Sequence, residues 1–513
     1  MSELPINWLN VELSDVAQII RGVTYKREQS TDSPSEGALP VLRATNITGA
    51  ALTLDELVYV PSENISNEQI LRPGDVVIAS SSGSKEIVGK AGAFVGGGFV
   101  GSFGAFCTGL RPSAFLSPAY FGYYFQTRTY RKSVSELSAG SNINNLKTGD
   151  LASQNFPLPP APEQTRIVAK LEELLSDLDA GVAELKAAQK KLAQYRQSLL
   201  KAAVEGALTA AWRTQHQPTE TGAQLLQRIL QERRARWEAR QLAKFAEQGK
   251  TPPKDWQKKY PEPVQPDASG LPQLPQGWVW ATIDQIAQVG TGVTPLRSKS
   301  AYFNEGTIPW VTSGALNSEA VASATELVTE LALKECRLEL YPVGSLLVAM
   351  YGEGKTRGKC SELRIPATIN QAIAAIVLEP AAQSCKAYLK AFLLDSYEKM
   401  RAQASGGVQP NLNLQIVKAI ALPLPPCSEQ AEITQLLDGQ FDQISQQQIA
   451  VQVSLQQSTA QRQNILRAAF SGQLVPQDPH DEPASALLER IRAERAARDA
   501  VKKPRGRKAQ EAA

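Results

Sequence analysis

Histidine is nearly absent: the 513 residues contain two, His216 and His480. Both lie in linker-like stretches far from any cysteine, so neither a zinc site nor histidine acid–base catalysis is expected. The five cysteines, Cys107, Cys336, Cys360, Cys385 and Cys427, form no Cys-x-x-Cys pair. Their odd number argues against a disulfide framework. No apolar run approaches the roughly 18 residues of a membrane span, and the N-terminal segment is not of signal-peptide type. No membrane association is expected, and the cytoplasm is the expected compartment. A net charge of only +3 is too weak to announce nucleic-acid binding by bulk electrostatics. What remains is an ordinary 42% hydrophobic content in a chain too long for one core, so several domains are expected.

Two stretches stand out by their period. In 163–204, apolar residues fall at Ile167, Leu171, Leu174, Leu178, Val182, Leu185, Leu192 and Leu199. Steps of three and four are those of a helical seam. Pro162 suits a first turn and Gly206 suits a stop. Such a helix cannot bury its stripe alone. The stretch 429–470 supplies a partner: it opens on the same Glu-Gln and closes on the same Arg-Gln-x-x-x-basic-Ala-Ala, with Gly472 in place of Gly206. In this second stretch glutamines Gln440, Gln447 and Gln448 occupy would-be seam positions.

The match extends through the chain. Pro5, Trp8, Ala17, Gly22, Val23 and Thr24 recur about 270 positions on as Pro275, Trp278, Ala287, Gly292, Val293 and Thr294. The segment 71–79 recurs at 340–349, 156–164 (FPLPPAPEQ) at 422–430 (LPLPPCSEQ), and 223–240 at 485–500. Each half therefore reads as mixed domain, proline-rich hinge, long helix and shorter basic helix. The boundaries drawn are 1–158 for the first mixed domain and 159–206 for the first long helix. Residues 207–272 form a short helix and a proline-rich linker or arm. The second mixed domain is 273–424, the second long helix 425–472, and 473–513 hold a short helix and a basic tail. Within the first domain, 76–80 and 99–106 read as strands and 120–134 as one helix. The fold class expected is α+β: two similar mixed domains separated by two long antiparallel coiled-coil helices, related by a pseudo-twofold internal repeat.

Several motifs point to chemistry and fall short of it. Residues 349–356 (AMYGEGKT) match a relaxed phosphate-binding loop with Lys355 and Thr356, but such a loop needs a helix directly behind it, and the stretch after Thr356 looks like a strand. A glycine-rich strand–strand loop carrying Lys355, Arg357 and Lys359 is the better reading. Residues 96–101 spell GxGxxG with no helix behind them, so a dinucleotide site is not expected. An amino-methyltransferase signature of (Asp/Asn)-Pro-Pro-aromatic type is absent from the sequence.

Polar loops carry the remaining signal. In the first domain they hold Arg43, Thr45 and Asn46, then Ser81, Ser82, Lys85 and Lys90, then Asn142, Asn144, Asn145 and Lys147. In the second they hold Thr312 and Ser313, then Tyr351, Lys355, Arg357 and Lys359, then Asn370 and Gln371, then Gln409 and Asn411. Such side chains hydrogen-bond base edges and phosphates, and are also ordinary turn residues. As a set they diverge while their framework repeats, as two similar scaffolds reading different DNA sequences would. Basic residues among them would position phosphates, and Asn, Gln, Ser and Thr would specify bases.

Two mixed domains alternating with two long helices, with PLPP-x-x-EQ entering each helix, resemble the specificity subunit of type I restriction–modification enzymes. The resemblance covers essentially the whole chain. It implies target-recognition domains that read the two halves of a bipartite site in double-stranded DNA, with the antiparallel helices as spacer. It also implies partners: two methyltransferase subunits and the restriction (translocase) subunits. S-adenosylmethionine, ATP and Mg2+ would be used by those partners and no cofactor or metal by this chain, which would be non-catalytic. The outer face of the first long helix, with Glu172, Glu173, Lys186 and Lys190, is either a docking surface for them or a solvated charged face. Two rivals stand beside this reading: a P-loop nucleotide-binding protein using Lys355 and Thr356, and a stand-alone coiled-coil DNA-binding scaffold or repressor.

Overall fold

The computed structural model describes residues 4–137, 144–267, 269–351, 356–403 and 412–502. It divides into two compact units, one of Met1–Ala187 with Val451–Ala513 and one of Ala188–Ala450. Each mixed domain is thus joined, within its own unit, by parts of both long helices.

The first unit is built on a six-stranded sheet in the order Ala17–Arg21, Cys107–Pro112, Val76–Ala79, Ala91–Ala93, Ala51–Leu52, Ile47–Thr48. The second unit repeats that order as Ala287–Thr291, Ile373–Leu378, Leu346–Ala349, Cys360–Leu363, Ala320–Val321. Both add a three-stranded sheet: Ser102–Phe103, Ala38–Leu42 and Val58–Pro61 in one, Thr368–Ile369, Ile308–Val311 and Glu326–Val328 in the other. The strands Val76–Ala79 and Leu346–Ala349 are buried throughout, which is why the sequence there is an unbroken apolar run and not an alternation. Val76 and Ile78 face the helical core while Val77 and Ala79 face the small sheet. Leu346 and Val348 divide from Leu347 and Ala349 in the same way.

The long helices span Ala161–Val204 and Cys427–Phe470. In the first unit Ile167, Leu171 and Leu175 share a core with Leu466 and Ala469. In the second, Leu199, Leu200 and Ala203 meet Ile433, Leu437 and Ile444. The beginning of one helix meets the end of the other in each unit, so the pair runs antiparallel. The seam is fully buried only where a domain wraps it. No residue of 176–198 or 445–465 is buried; the seam residues there, Leu178, Val182, Leu185 and Gln448 among them, are half-buried, as two bare helices allow. Gln440 and Gln448 do lie in the seam, but Gln447 is exposed, and Leu175 takes the buried place beside a half-buried Leu174.

The repeated PLPP-x-x-EQ segment has a structural cause. Glu163 and Glu429 are each 1% exposed and accept an indole N–H: Trp8 Nε1 to Glu163 Oε2 at 2.9 Å, Trp278 Nε1 to Glu429 Oε2 at 2.8 Å. Gln164 donates to the Pro159 carbonyl at 3.0 Å and Gln430 to the Pro425 carbonyl at 2.8 Å. A helix begins in its own domain and its terminal glycine closes on the other repeat's tryptophan. Gly206 (φ +73°) would place a Cβ 2.6 Å from the Pro275 ring, and Gly472 (φ +72°) would place one 2.2 Å from the Pro5 ring. Both conformations favour glycine.

Three expectations are revised. The helix expected over 120–134 is two, Pro118–Tyr124 and Arg128–Leu137, because the Thr127 hydroxyl donates to the Tyr124 carbonyl at 2.7 Å and accepts from Tyr130 N. Where one short helix was expected after 207 there are two helices, a short one at Ala210–Gln215 and a long one at Gly222–Glu247. The proline-rich stretch behind it is pinned rather than free: Val264 N donates to Asp284 Oδ2 at 3.0 Å, Thr282 Oγ1 donates to the Val264 carbonyl at 2.7 Å, and buried Tyr260 packs edge-on against Trp237. No helix among the described residues is long and apolar enough to cross a membrane.

Candidate nucleic-acid interface

Strand register carries the polar loops of each domain to one edge. In the first unit Ala79 lies opposite Cys107, Arg21 opposite Thr108 and Leu42 opposite Phe103. The chain segments leaving or entering those strands, 22–25, 43–46, 80–90 and 104–107, are therefore neighbours. The 144–147 segment joins them. Ser81 and Ser82 pair with Asn145 and Asn144 in a two-stranded antiparallel ribbon, and Leu146 N donates to the Ser80 carbonyl at 2.8 Å.

The second unit repeats much of this edge in its backbone hydrogen bonds. Ser80 N and Ser81 N donate to the Phe106 carbonyl at 2.8 and 3.2 Å; Met350 N and Tyr351 N donate to the Ala372 carbonyl at 2.8 and 3.3 Å. Gly104 N donates to the Leu42 carbonyl at 2.8 Å; Asn370 N donates to the Val311 carbonyl at 3.0 Å. Leu412 N reaches the Met350 carbonyl as Leu146 N reaches Ser80. The repeated glycines make this approach possible: a Cβ on Gly22 would fall 2.0 Å from the Gly104 carbonyl oxygen, and one on Gly292 would fall 1.6 Å from that of Ile369.

The side chains on the edge differ in what they leave available. Arg43 and Thr45 are exposed, and Arg43 Nη2 donates to the Glu56 carbonyl at 2.8 Å. Asn46 is buried and spent on the loop itself, accepting from Arg43 N at 2.8 Å and donating to the Asp55 carbonyl at 2.7 Å. Ser81 and Ser82 are half-buried, and Lys85, Asn145 and Lys147 exposed. Asn144 contributes its backbone to the ribbon. Lys90 lines a depression with Gly49, Phe125, Gln126 and Arg131.

In the second unit Thr312 and Ser313 are half-buried at the end of their strand, and Tyr351 is 36% exposed. Asn370 accepts from Ala372 N at 3.1 Å, which shapes its own turn. Exposed Gln371 accepts from the Thr294 hydroxyl. Arg357 is half-buried. Lys359 donates to Asn317 Oδ1 at 2.9 Å and lines a pocket with Arg196 and Gln197 of the first long helix. That places it toward the first long helix. Asn142, Lys355, Gln409 and Asn411 lie outside the described residues.

Sequence reasoning missed Tyr25 and Thr294, which flank the edge just after the repeated glycines. Burial raises the Tyr25 hydroxyl pKa, with the Arg43 guanidinium opposing. The recurrence of Thr24 as Thr294 behind Gly22 and Gly292 was the signal available. The phosphate-loop alternative finds no support: strands Leu346–Ala349 and Cys360–Leu363 pair antiparallel, Leu346 opposite Glu362, so the loop joins two strands and has no helix behind Thr356. Gly96, Gly97 and Gly98 all have positive φ and lead into the strand Ser102–Phe103, again without a helix.

Similar proteins bear on this architecture. The type I restriction enzyme StySPI specificity subunit of Salmonella potsdam is 42% identical over 214 residues, 42% of this chain and 46% of that protein. The EcoKI specificity subunit of Escherichia coli (strain K12) is 40% identical over 211 residues, 41% of this chain and 45% of that protein. The chain thus matches about half the length of these two relatives. The EcoDI specificity subunit of Escherichia coli is 24% identical over 507 residues, 96% of this chain and 97% of that protein. A chain solved in work on complex assembly and conformational transition of the type I R-M system superposes with a TM-score of 0.62 at 17% identity, covering 92% of this chain and all of that one, which establishes the shared fold. The family described as type I restriction modification DNA specificity domain matches twice, over residues 5–188 and 275–453, and the chain belongs to that family.

Proposed function

We propose that this chain is the DNA sequence-specificity subunit of a type I restriction–modification complex. Each unit reads one half of a bipartite site in double-stranded DNA, and the helix pair sets the gap between the halves. The observation that carries this is the duplicated edge: one hydrogen-bonded framework presents Arg43, Ser81, Ser82 and Asn145 in the first unit and Thr312, Ser313, Tyr351 and Gln371 in the second. A conserved frame with divergent polar side chains suits two readers of different base sequences.

The chain is non-catalytic in this reading and binds no cofactor or metal. It works in the cytoplasm with two methyltransferase subunits and with restriction subunits, which use S-adenosylmethionine, ATP and Mg2+. Exposed Lys85 and Lys147 position phosphates, while much of the electrostatic grip comes from the partners. Glu172, Glu173, Lys186 and Lys190 are all exposed on the first long helix, where partner subunits can reach them.

The test is co-expression with a candidate type I methyltransferase subunit, followed by methylation mapping of the host genome. A methylated two-part motif, lost in one half only when the 80–85 loop is replaced, is the expected result. Failure to co-purify with any methyltransferase would favour the stand-alone scaffold instead.

A further inference from the structure

Phe106 is 70% exposed, yet its backbone is fixed. Its carbonyl accepts from Ser80 N and Ser81 N, and Cys107 N closes the turn onto the Gly104 carbonyl at 2.8 Å. The ring therefore stands on a rigid turn beside the ribbon of Ser81–Ser82 and Asn144–Asn145. An aromatic side chain left in water forgoes the large gain that burying it would bring. Here it does so amid serine, threonine and asparagine at the edge proposed to face DNA. The second unit carries Ala372 at the matching hydrogen-bonded position and no ring.

A two-stranded ribbon fits the major groove of B-DNA, and the apolar feature of a base edge in that groove is the thymine 5-methyl group. Insertion between base steps belongs mainly to minor-groove binders. We infer that Phe106 is a specificity-determining residue whose ring contacts the 5-methyl of a thymine in the half-site read by the first unit. This rests on the DNA-reading proposal above.

The experiment uses the complex with its methyltransferase subunits and duplexes carrying the mapped site, with deoxyuridine replacing each thymine of the first half-site in turn. One replacement is expected to weaken binding by the wild-type complex about fourfold, the worth of one buried methyl. F106A is expected to bind the thymine duplex about fourfold more weakly and to be indifferent to that replacement, while F106L keeps part of the sensitivity. Replacements in the second half-site should affect all three proteins alike. A first half-site without thymine on either strand, unchanged sensitivity in F106A, or loss of methyltransferase co-purification by F106A would each overturn the inference. The functional reading fails separately, if the wild-type complex methylates no two-part site at all.

Discussion

The two helix-entry nodes share a tryptophan, a glutamate and a glutamine, and differ in what else the glutamate meets. Glu163 accepts from two neutral donors, Trp8 at 2.9 Å and Gln477 at 2.5 Å, and its burial raises the carboxyl pKa above the ordinary 4.5. Glu429 accepts from Trp278 and Thr209 and also from the Arg213 guanidinium at 2.7 Å. One node is held by neutral hydrogen bonds and the other by an ion pair. The repeat has kept the geometry of the helix start and let its charge balance drift, so what recurs in sequence is the set of groups that aim the helix.

The largest expected effect comes from that difference. Glu429→Gln keeps an acceptor for Trp278 but strips the partner from Arg213, whose side chain is 20% exposed, and is expected to cost the second unit about 3 kcal/mol. Glu163→Gln keeps the acceptor and abandons no cation, so about 1 kcal/mol or less is expected from the first unit. Urea unfolding followed separately in each unit checks this, and equal losses would show that the contrast has no energetic content. Next, Gly472→Ala and Gly206→Ala should each cost at least about 1–2 kcal/mol, the left-handed backbone alone accounting for that much before the new methyl meets the proline ring. A cost at only one of them would break the equivalence of the two closures.

Smaller still is a pH effect confined to the first node. The native Glu163 carboxyl holds its proton to higher pH than the unfolded one. The folded state therefore binds more protons just above pH 4.5, and stability falls as pH rises through that interval. Glu163→Gln should remove that fall. A wild-type-to-variant difference that stays constant with pH would contradict the assignment. Finally, burial pushes the thiols of Cys107 and Cys360 up to about 12, so both should resist alkylation at pH 8 until their unit opens. Cys107 is the first unit's cysteine, and its modification rate is a reporter for that unit alone.

Much of the fold was legible in the residues. The seam period of 163–204 and its copy revealed the helices, and the recurrence of Trp8, Gly22 and the Pro-Glu-Gln segment revealed the doubled domain. The reasons for those recurrences were not legible, because each depends on contacts across long separations: Trp8 with Glu163, Gly472 with Pro5, Gly292 with Ile369. The helix ends proved to be domain core because Leu171 and Leu466 are buried with the domain's own aromatics, which periodicity cannot disclose. At the edge, residue type identified the loops but not which side chains were already spent. Asn46 and Asn370 look like readers in sequence and serve their own turns in the structure. Lys359 looked like a phosphate contact and lines a pocket with the long helix. Phe106 carried no polar signal and went unnoticed.

The proposed function centres on two readers set apart by a helical spacer. The most direct test inserts four residues, one turn, in both long helices, after Ala187 and after Ala450, and maps methylation by the resulting complex. The insertion adds about 6 Å of helix, close to two base pairs. Both half-site sequences should stay unchanged, with the gap between them about two base pairs longer. An unchanged gap, or altered half-sites, would contradict the spacer.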